Sequence, residues 1–284
     1  MRRKWNRWTF TLAPLYVFTL LFVVGPLLYM VAISFASNKE GYGVIWRFTA
    51  ENYKKIFDPV YLETFRQSLK LAFTSALSIM LLGYPFGYFM ARLNSRWKNR
   101  LMLLLLIPFW VNSLIRLYGW IIILQTKGAL NGVLLNLGLI EEPLKMLYSY
   151  PAVLLGMIYT LLPFMILSVY SSAEKMDWSL VEAARDLGAN EIQAFCSVTF
   201  KMTLPGLLSG MILTFIPSMG LFFIADILGG NKIVLVGSLI QDQMTRGSNW
   251  PFAAALAVAL TILTTLIIYL YRRITHVSEL EGLY

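Results

Sequence analysis

Of the 284 residues, 58% are hydrophobic and only 14% charged, whereas a soluble domain carries about a quarter charged residues and under half apolar ones. That balance excludes a disordered chain, a disulfide scaffold and an ordinary cytosolic enzyme, and leaves a polytopic membrane protein. The net charge of +9, from 24 Lys and Arg against 15 Asp and Glu, is therefore read by where the charges fall relative to the apolar segments, not as an attraction for nucleic acid.

Six apolar stretches follow one another at roughly 10–35, 68–91, 101–124, 150–172, 206–228 and 251–271. Each has about 20 to 25 residues, enough for a helix to cross a hydrocarbon core. The first is preceded by Arg2, Arg3, Lys4 and Arg7, as a signal peptide would be. It exceeds a signal core of about 7–15 residues, though, and Ser34-Phe35-Ala36 is a poor cleavage pattern, so it reads as an uncleaved span. Pro26, Pro85, Pro108, Pro163 and Pro217 lie inside these stretches. Each favours a kink, and together they predict bent helices around a path. No internal repeat of the kind found in two-halved secondary transporters is evident.

The connections assign the sides. The N-terminal tail, the 92–100 connection (Arg92, Arg96, Lys98, Arg100), the 173–205 connection (Lys175, Arg185, Lys201) and the tail with Arg272 and Arg273 hold thirteen basic residues. The three opposite connections hold nine over a greater length. Both termini are thus expected in the cytoplasm.

The 173–205 connection differs from the rest. Ser179 followed by Glu182 is a capping-box pattern that places a helix start at Leu180. Gly188 stands where the chain leaves that helix, and Asn190 with Gln193 repeats the pattern, opening a second helix of about three turns before Pro205. Ala183 and Ala184 keep the first helix thin. Leu180, Val181, Leu187, Ile192, Phe195 and Val198 supply apolar surface that the loop alone cannot bury. Two readings follow from the residues: a docking element for another protein, or an interfacial helix lying on the bilayer.

Glu182-Ala183-Ala184, three residues, then Gly188-Ala189 resembles the EAA motif of permease subunits of bacterial ABC importers, in the cytoplasmic loop before the penultimate span. The strings PFWVNSLIRLYGW (108–120), TKGALN (126–131), LLPFMILSVYSSAEKMD (161–177), EAARDLGA (182–189) and NWPFAAA (249–255) are similar to the spermidine/putrescine branch of that family. The family commonly has leucine-proline where this chain has Phe200-Lys201, which leaves the end of the second loop helix open.

The resemblance implies an all-α integral membrane protein, a six-transmembrane-helix bundle of the type I importer (MetI-like) permease fold in the bacterial inner membrane. It implies a non-catalytic subunit that pairs with a homologous second permease, receives a polyamine from a periplasmic binding protein and is driven by a separate ATPase dimer. It also implies that Glu182, Ala183, Ala184 and Gly188 contact that ATPase; Glu182 has helix capping as its other reading. Consistent with no nucleotide on this chain, no G-x-x-x-x-G-K-[ST] segment is present; ATP and Mg²⁺ belong to the partner. The partners are then these proteins, the polyamine and membrane lipid, with no nucleic acid. The same permease type carrying an amino acid, a sugar, iron or sulfate is the alternative.

A polycation needs carboxylates, aromatic faces and carbonyls along its path. Asp226 is the one acidic residue inside the six stretches, and such residues usually face a cavity or a partner. Its other readings are pairing with Arg116 or exposure at the periplasmic interface. Trp110, Asn112, Tyr118 and Tyr159 are further path candidates, each with anchoring or packing as its plainer role. An intramembrane protease is disfavoured, because the single histidine, His276, lies beyond the last span and cannot form a metal-binding pair. Cys196 alone supplies no disulfide and no cysteine-rich metal site. A channel or self-sufficient carrier would leave the helix–glycine–helix loop without a purpose.

Overall fold

The computed structural model describes residues 7–39, 43–230 and 232–275; Arg2, Arg3, Lys4 and His276 lie outside them. By mutual contact the chain forms two units, residues 1–62 with 239–267, and residues 63–238 with 268–284.

In the first unit, helix α1 (Arg7–Thr19) passes through a π-turn at Leu20–Val24 into α2 (Gly25–Ser34). Pro26 stands just past the π-turn, inside a helix continuous from Ala13 to Ser34, where it removes one backbone hydrogen bond. Past Ser34, the side-chain amide of Asn52 donates to the carbonyls of Ser34 and Ala36 at 3.0 and 2.9 Å. It supplies partners for carbonyls that a helix end leaves orphaned. Strands β1 (Ser37–Asn38) and β2 (Val44–Ile45) pair antiparallel, Ser37 opposite Ile45, and α3 (Glu51–Ile56) follows. Phe35 holds this cap against Phe48 and Tyr53, with ring centroids 5.2 and 4.9 Å apart. Asn249 accepts the N–H of Phe252 at 3.1 Å and so opens the last helix of the chain.

The second unit is built around one helix. In chain order its elements are α4 (Pro59–Arg92, entering the unit at Glu63), α5 (Ser95–Leu106), a 3₁₀ turn (Ile107–Trp110), α6 (Ser113–Leu124), α7 (Ala129–Asn136), α8 (Tyr150–Glu174), α9 (Ser179–Asp186), α10 (Glu191–Ala194), a π-turn (Phe195–Thr199), α11 (Phe200–Gly220) and α12 (Phe222–Gly229). Helices α13 (Val236–Thr245) and α14 (Trp250–Thr275) complete the chain. Helix α8 is central to the unit. Ile79 of α4, Leu161, Met165 and Val169 of α8 and Leu207 of α11 form one buried cluster. Leu117 and Leu124 of α6 join Val153 and Met157 of α8 and Ile224 and Leu228 of α12 in another.

Two G-x-x-x-G pairs let neighbouring backbones close on α8, as small residues do between membrane helices. From α4, a Cβ added at Gly87 would stand 2.7 Å from the carbonyl oxygen of Ile166. From α11, one at Gly206 would stand 2.6 Å from that of Ser168. Any larger residue at either position must push its helix off α8.

Among the described residues, five helices are long and apolar enough to cross a membrane: Ala13–Ser34, Pro59–Arg92, Tyr150–Glu174, Glu191–Gly220 and Trp250–Tyr271. The span expected at 101–124, with a kink favoured at Pro108, is a pair of helices, Ser95–Trp110 and Ser113–Asn136, bent by 95°; counted as one span it gives six. Pro108 lies in the 3₁₀ turn, Val111 is extended, and Asn112 then caps a fresh helix by accepting the N–H of Leu114 at 2.8 Å. Asn112 and Ser113 interrupt the apolar run only briefly, so the mean hydropathy of the segment stays that of a span and does not reveal the size of the bend.

The expected span at 206–228 is displaced. Its helix begins at Glu191, runs through Pro205 and ends at Gly220, and Leu221 separates it from α12. Pro205 removes one backbone hydrogen bond without ending the helix, and Phe200-Lys201 lies inside it, so the second loop helix has no end of its own there. Pro85 and Pro163 likewise sit within continuous helices.

The coupling loop and the candidate path residues

The chain leaves α8 at Glu174, and Met176 is buried. Asp177 Oδ1 then accepts the N–H of Ser179 at 3.0 Å. Ser179 is therefore already the first helical residue, and the capping box expected between Ser179 and Glu182 does not form. The Asp177 carboxyl is held below its ordinary range by the hydrogen bonds of the Ser179 side chain and backbone. A depressed carboxyl stabilises the helix start above its ordinary pKa and loses that effect as pH falls through the lowered value, so this support is complete at neutral pH. Glu182, freed from capping, is exposed in the first turn of α9, where a negative charge suits the helix dipole.

At the other end, Gly188 has φ +90°. Its N–H donates to Arg185 O at 2.9 Å and that of Ala189 to Ala184 O at 3.0 Å, which is the Schellman arrangement. Asn190 begins α10 immediately, with both halves of its capping box made: Gln193 N–H to Asn190 Oδ1 at 2.8 Å and Asn190 N–H to Gln193 Oε1 at 3.0 Å. Arg185 and Glu191 pair across the turn at 3.1 Å. Helix stop and helix start thus abut at Gly188, and the angle between α9 and α10 is set by backbone bonds.

The loop's apolar residues divide into two groups. Val181, Phe195 and Val198 are half-buried, while Leu180, Leu187 (90% exposed) and Ile192 (75% exposed) face outward. The inward group meets an aromatic latch. Phe195 packs edge-on against Tyr84 and Tyr88 at 6.3 and 5.7 Å, and Tyr88 meets Trp178 at 6.0 Å. The Arg92 guanidinium lies over the rings of Tyr88 and Trp178 at 5.8 and 5.6 Å. The Tyr84 hydroxyl shares a 2.8 Å hydrogen bond with Thr203. Between latch and loop is a cavity of about 400 Å³ lined by Arg92, Trp178, Glu182, Arg185 and Glu191 among others. None of Tyr84, Tyr88, Arg92 or Trp178 was singled out from the sequence as a site residue. Tyr88 and Arg92, four apart at the end of α4, were the available signal. Of the four expected coupling residues, Ala184 is half-buried and Glu182, Ala183 and Gly188 are exposed.

The path candidates are not gathered into one site. Asn112 has its side-chain oxygen engaged in the cap of α6. Trp110 is 85% exposed, and Tyr118 is exposed as well. Asp226, half-buried on α12, accepts a hydrogen bond from Ser238 Oγ at 2.8 Å. Pairing of Asp226 with Arg116 is overturned: no ion pair joins them among the described residues. Arg116 instead lies over the rings of Phe109 and Tyr159 at 5.7 and 5.5 Å, its Nε sealed from solvent with no hydrogen-bond acceptor. Tyr159 is thus the one path candidate already holding a cation.

Residues 83–277 match the model of the family described as binding-protein-dependent transport system inner membrane component. The chain belongs to that family. It is 44% identical over 253 residues to the spermidine/putrescine transport system permease protein PotB of Salmonella typhimurium strain SL1344, covering 89% of this chain and 88% of the relative. Identity to the PotB protein of Escherichia coli K12 is 43%, over 89% and 92% of the two chains, and to that of Haemophilus influenzae 40%, over 93% and 92%. Among solved structures, a bacterial ABC transporter importing the acidic polysaccharide alginate superposes with TM-score 0.70 at 16% identity, over 94% and 93% of the chains. Its complex with an alginate pentasaccharide-bound periplasmic protein gives 0.74 at 15%, over 93% and 92%. The fold is accordingly that of an all-α, MetI-like ABC importer permease, a multi-pass inner-membrane subunit of a transport system.

Proposed function

We propose that this permease forms, with a homologous second permease, the path for ATP-driven uptake of a polyamine such as spermidine or putrescine. A periplasmic binding protein delivers the cargo. A cytoplasmic ATPase dimer, using ATP and Mg²⁺ that this chain does not bind, grips the 173–205 loop. Both termini face the cytoplasm. The substrate class is supported by the 40–44% identity to PotB permeases along nearly the whole chain.

The observation that carries the coupling role is the fixed turn at Gly188, with Leu187 and Ile192 presented on either side while Phe195 and Trp178 anchor the loop to the spans. A loop lying on lipid would not need its angle set by a Schellman turn and a capping box back to back. Leu187 and Ile192 offer apolar contacts to the ATPase, and Glu182 a charge. The small Ala183, Ala184 and Gly188 let its surface come close. Closure of the ATPase dimer then rocks the two permeases between inward- and outward-facing states, a population shift driven by nucleotide binding. Asp226 is assigned to holding an ammonium group, with Trp110, Tyr118 and Tyr159 offering ring faces. Asn112 shapes the bend that presents Trp110 and Tyr118.

One observation favours a second reading. An unneutralised guanidinium, Arg116, would suit an anionic solute such as sulfate. The deciding experiment is ATP-dependent uptake of labelled spermidine and putrescine into proteoliposomes holding both permeases, the ATPase and the binding protein, with amino acids, sugars, iron and sulfate as competitors. Uptake inhibited only by polyamines is expected. Uptake of one of the competitors in place of polyamine would overturn the substrate assignment.

A further inference from the structure

The geometry points to a cation-exchange box: the ring faces of Phe109 and Tyr159 are a transient site for an ammonium group of the cargo, which enters as the resident cation, Arg116, swings out. This inference rests on the polyamine reading above and assigns to it a site.

The box arises from the bend. Phe109 precedes the 95° turn and Arg116 follows it, so the turn brings a ring and a guanidinium only seven residues apart face to face, and α8 adds Tyr159. The walls do not depend on the arginine. Phe109 is braced edge-on by Phe164 at 5.5 Å, and Tyr159 by Trp120 at 5.6 Å. Removing Arg116 would leave two preformed ring faces, one of which, Phe109, is 38% exposed.

The resident cation is weakly held. None of the ion pairs among the described residues includes Arg116. Its Nε–H is buried without an acceptor, a loss that water would repair once the side chain swings outward. Two aromatic faces attract any cation, and a compact ammonium fits them as well as a guanidinium does. A polyamine carries several such groups, so it can displace one arginine while its other charges are held elsewhere. Because Arg116 returns to compete, the site binds and lets go, as a conduction path requires.

The test is equilibrium binding of radiolabelled spermidine to the assembled two-permease–ATPase complex in nanodiscs, without the binding protein, whose own affinity would mask the effect. Wild-type uptake of spermidine in proteoliposomes is measured first, and its failure refutes the polyamine reading itself. Given that uptake, Arg116→Met removes the competing charge at similar length and should tighten binding by about threefold to thirtyfold, the span of cation–π strengths. Arg116→Lys keeps a cation and should stay within about twofold of wild type, while Tyr159→Leu should weaken binding by about tenfold. Equal or weaker binding by Arg116→Met in an assembled complex would overturn the box, as would wild-type affinity of Tyr159→Leu. Should Arg116→Met fail to assemble, Tyr159→Leu and Phe109→Leu carry the measurement, and unchanged affinity in both is the refuting result.

Discussion

Lys70, Arg116 and Asp226 are the charged residues of the apolar segments, none with an ion-pair partner among the described residues; Lys70 is exposed, and Asp226 and Arg116 are each accommodated differently. Asp226 keeps one carboxylate oxygen on Ser238, and among the described residues no hydrogen bond to the other is found. Arg116 rests on two rings. A carboxylate so placed can accept an ammonium without giving up its structural bond. Asp226→Asn separates the two roles, because the amide oxygen can still accept from Ser238 while the charge is gone. The yield of assembled complex should stay near wild type while spermidine uptake falls by about tenfold, the value of one charge-assisted contact. Uptake at the wild-type rate would remove Asp226 from the path. Its position was legible because an acidic residue in an apolar stretch is conspicuous. Its partner was not, since Ser238 is twelve residues away beyond a turn, and the sequence offered Arg116 as the more obvious mate.

At the scale of elements, what was legible depended on whether local chemistry or distant contact does the positioning. Gly188, Asn190 and Gln193 act through backbone groups within a few residues, and their turn and cap stand where the pattern placed them. Ser179 carried the same signal and was bypassed, because Asp177 reached its N–H first. The latch of Tyr84, Tyr88, Arg92 and Trp178 joins the end of α4 to the loop across about ninety residues of sequence, a distance no local pattern spans. Gly188→Val tests the turn. A β-branched residue at φ +90° is strained by roughly 1–2 kcal/mol, of the order of the stability of one short exposed helix. The protein should insert and purify normally. Uptake should drop severalfold while nucleotide hydrolysis by the complex persists, and undiminished uptake would refute the docking role of the loop.

For the whole molecule, length and hydropathy marked out helices of about 20 apolar residues, long enough to cross a bilayer, but placed the fifth at 206–228 where the helix runs over Glu191–Gly220. They could not tell a straight span from the bent pair at 95–136, since a chain folding back within protein is as apolar as one passing through lipid. Sidedness rests on a separate physical bias, the retention of Lys and Arg on the cytoplasmic face, and can be tested directly. Cys196 is exposed, so a Cys196→Ser background is required. In it, Ser95→Cys places a thiol on the exposed first turn of α5, within the basic 92–100 connection. Glu142→Cys places one in the exposed 125–149 connection assigned to the opposite face. A membrane-impermeant maleimide should label the Glu142→Cys protein in spheroplasts and the Ser95→Cys protein only in inverted vesicles. The reverse pattern would put the 173–205 loop outside, where no ATPase could reach it, and would leave Leu187 and Ile192 without the partner assigned to them.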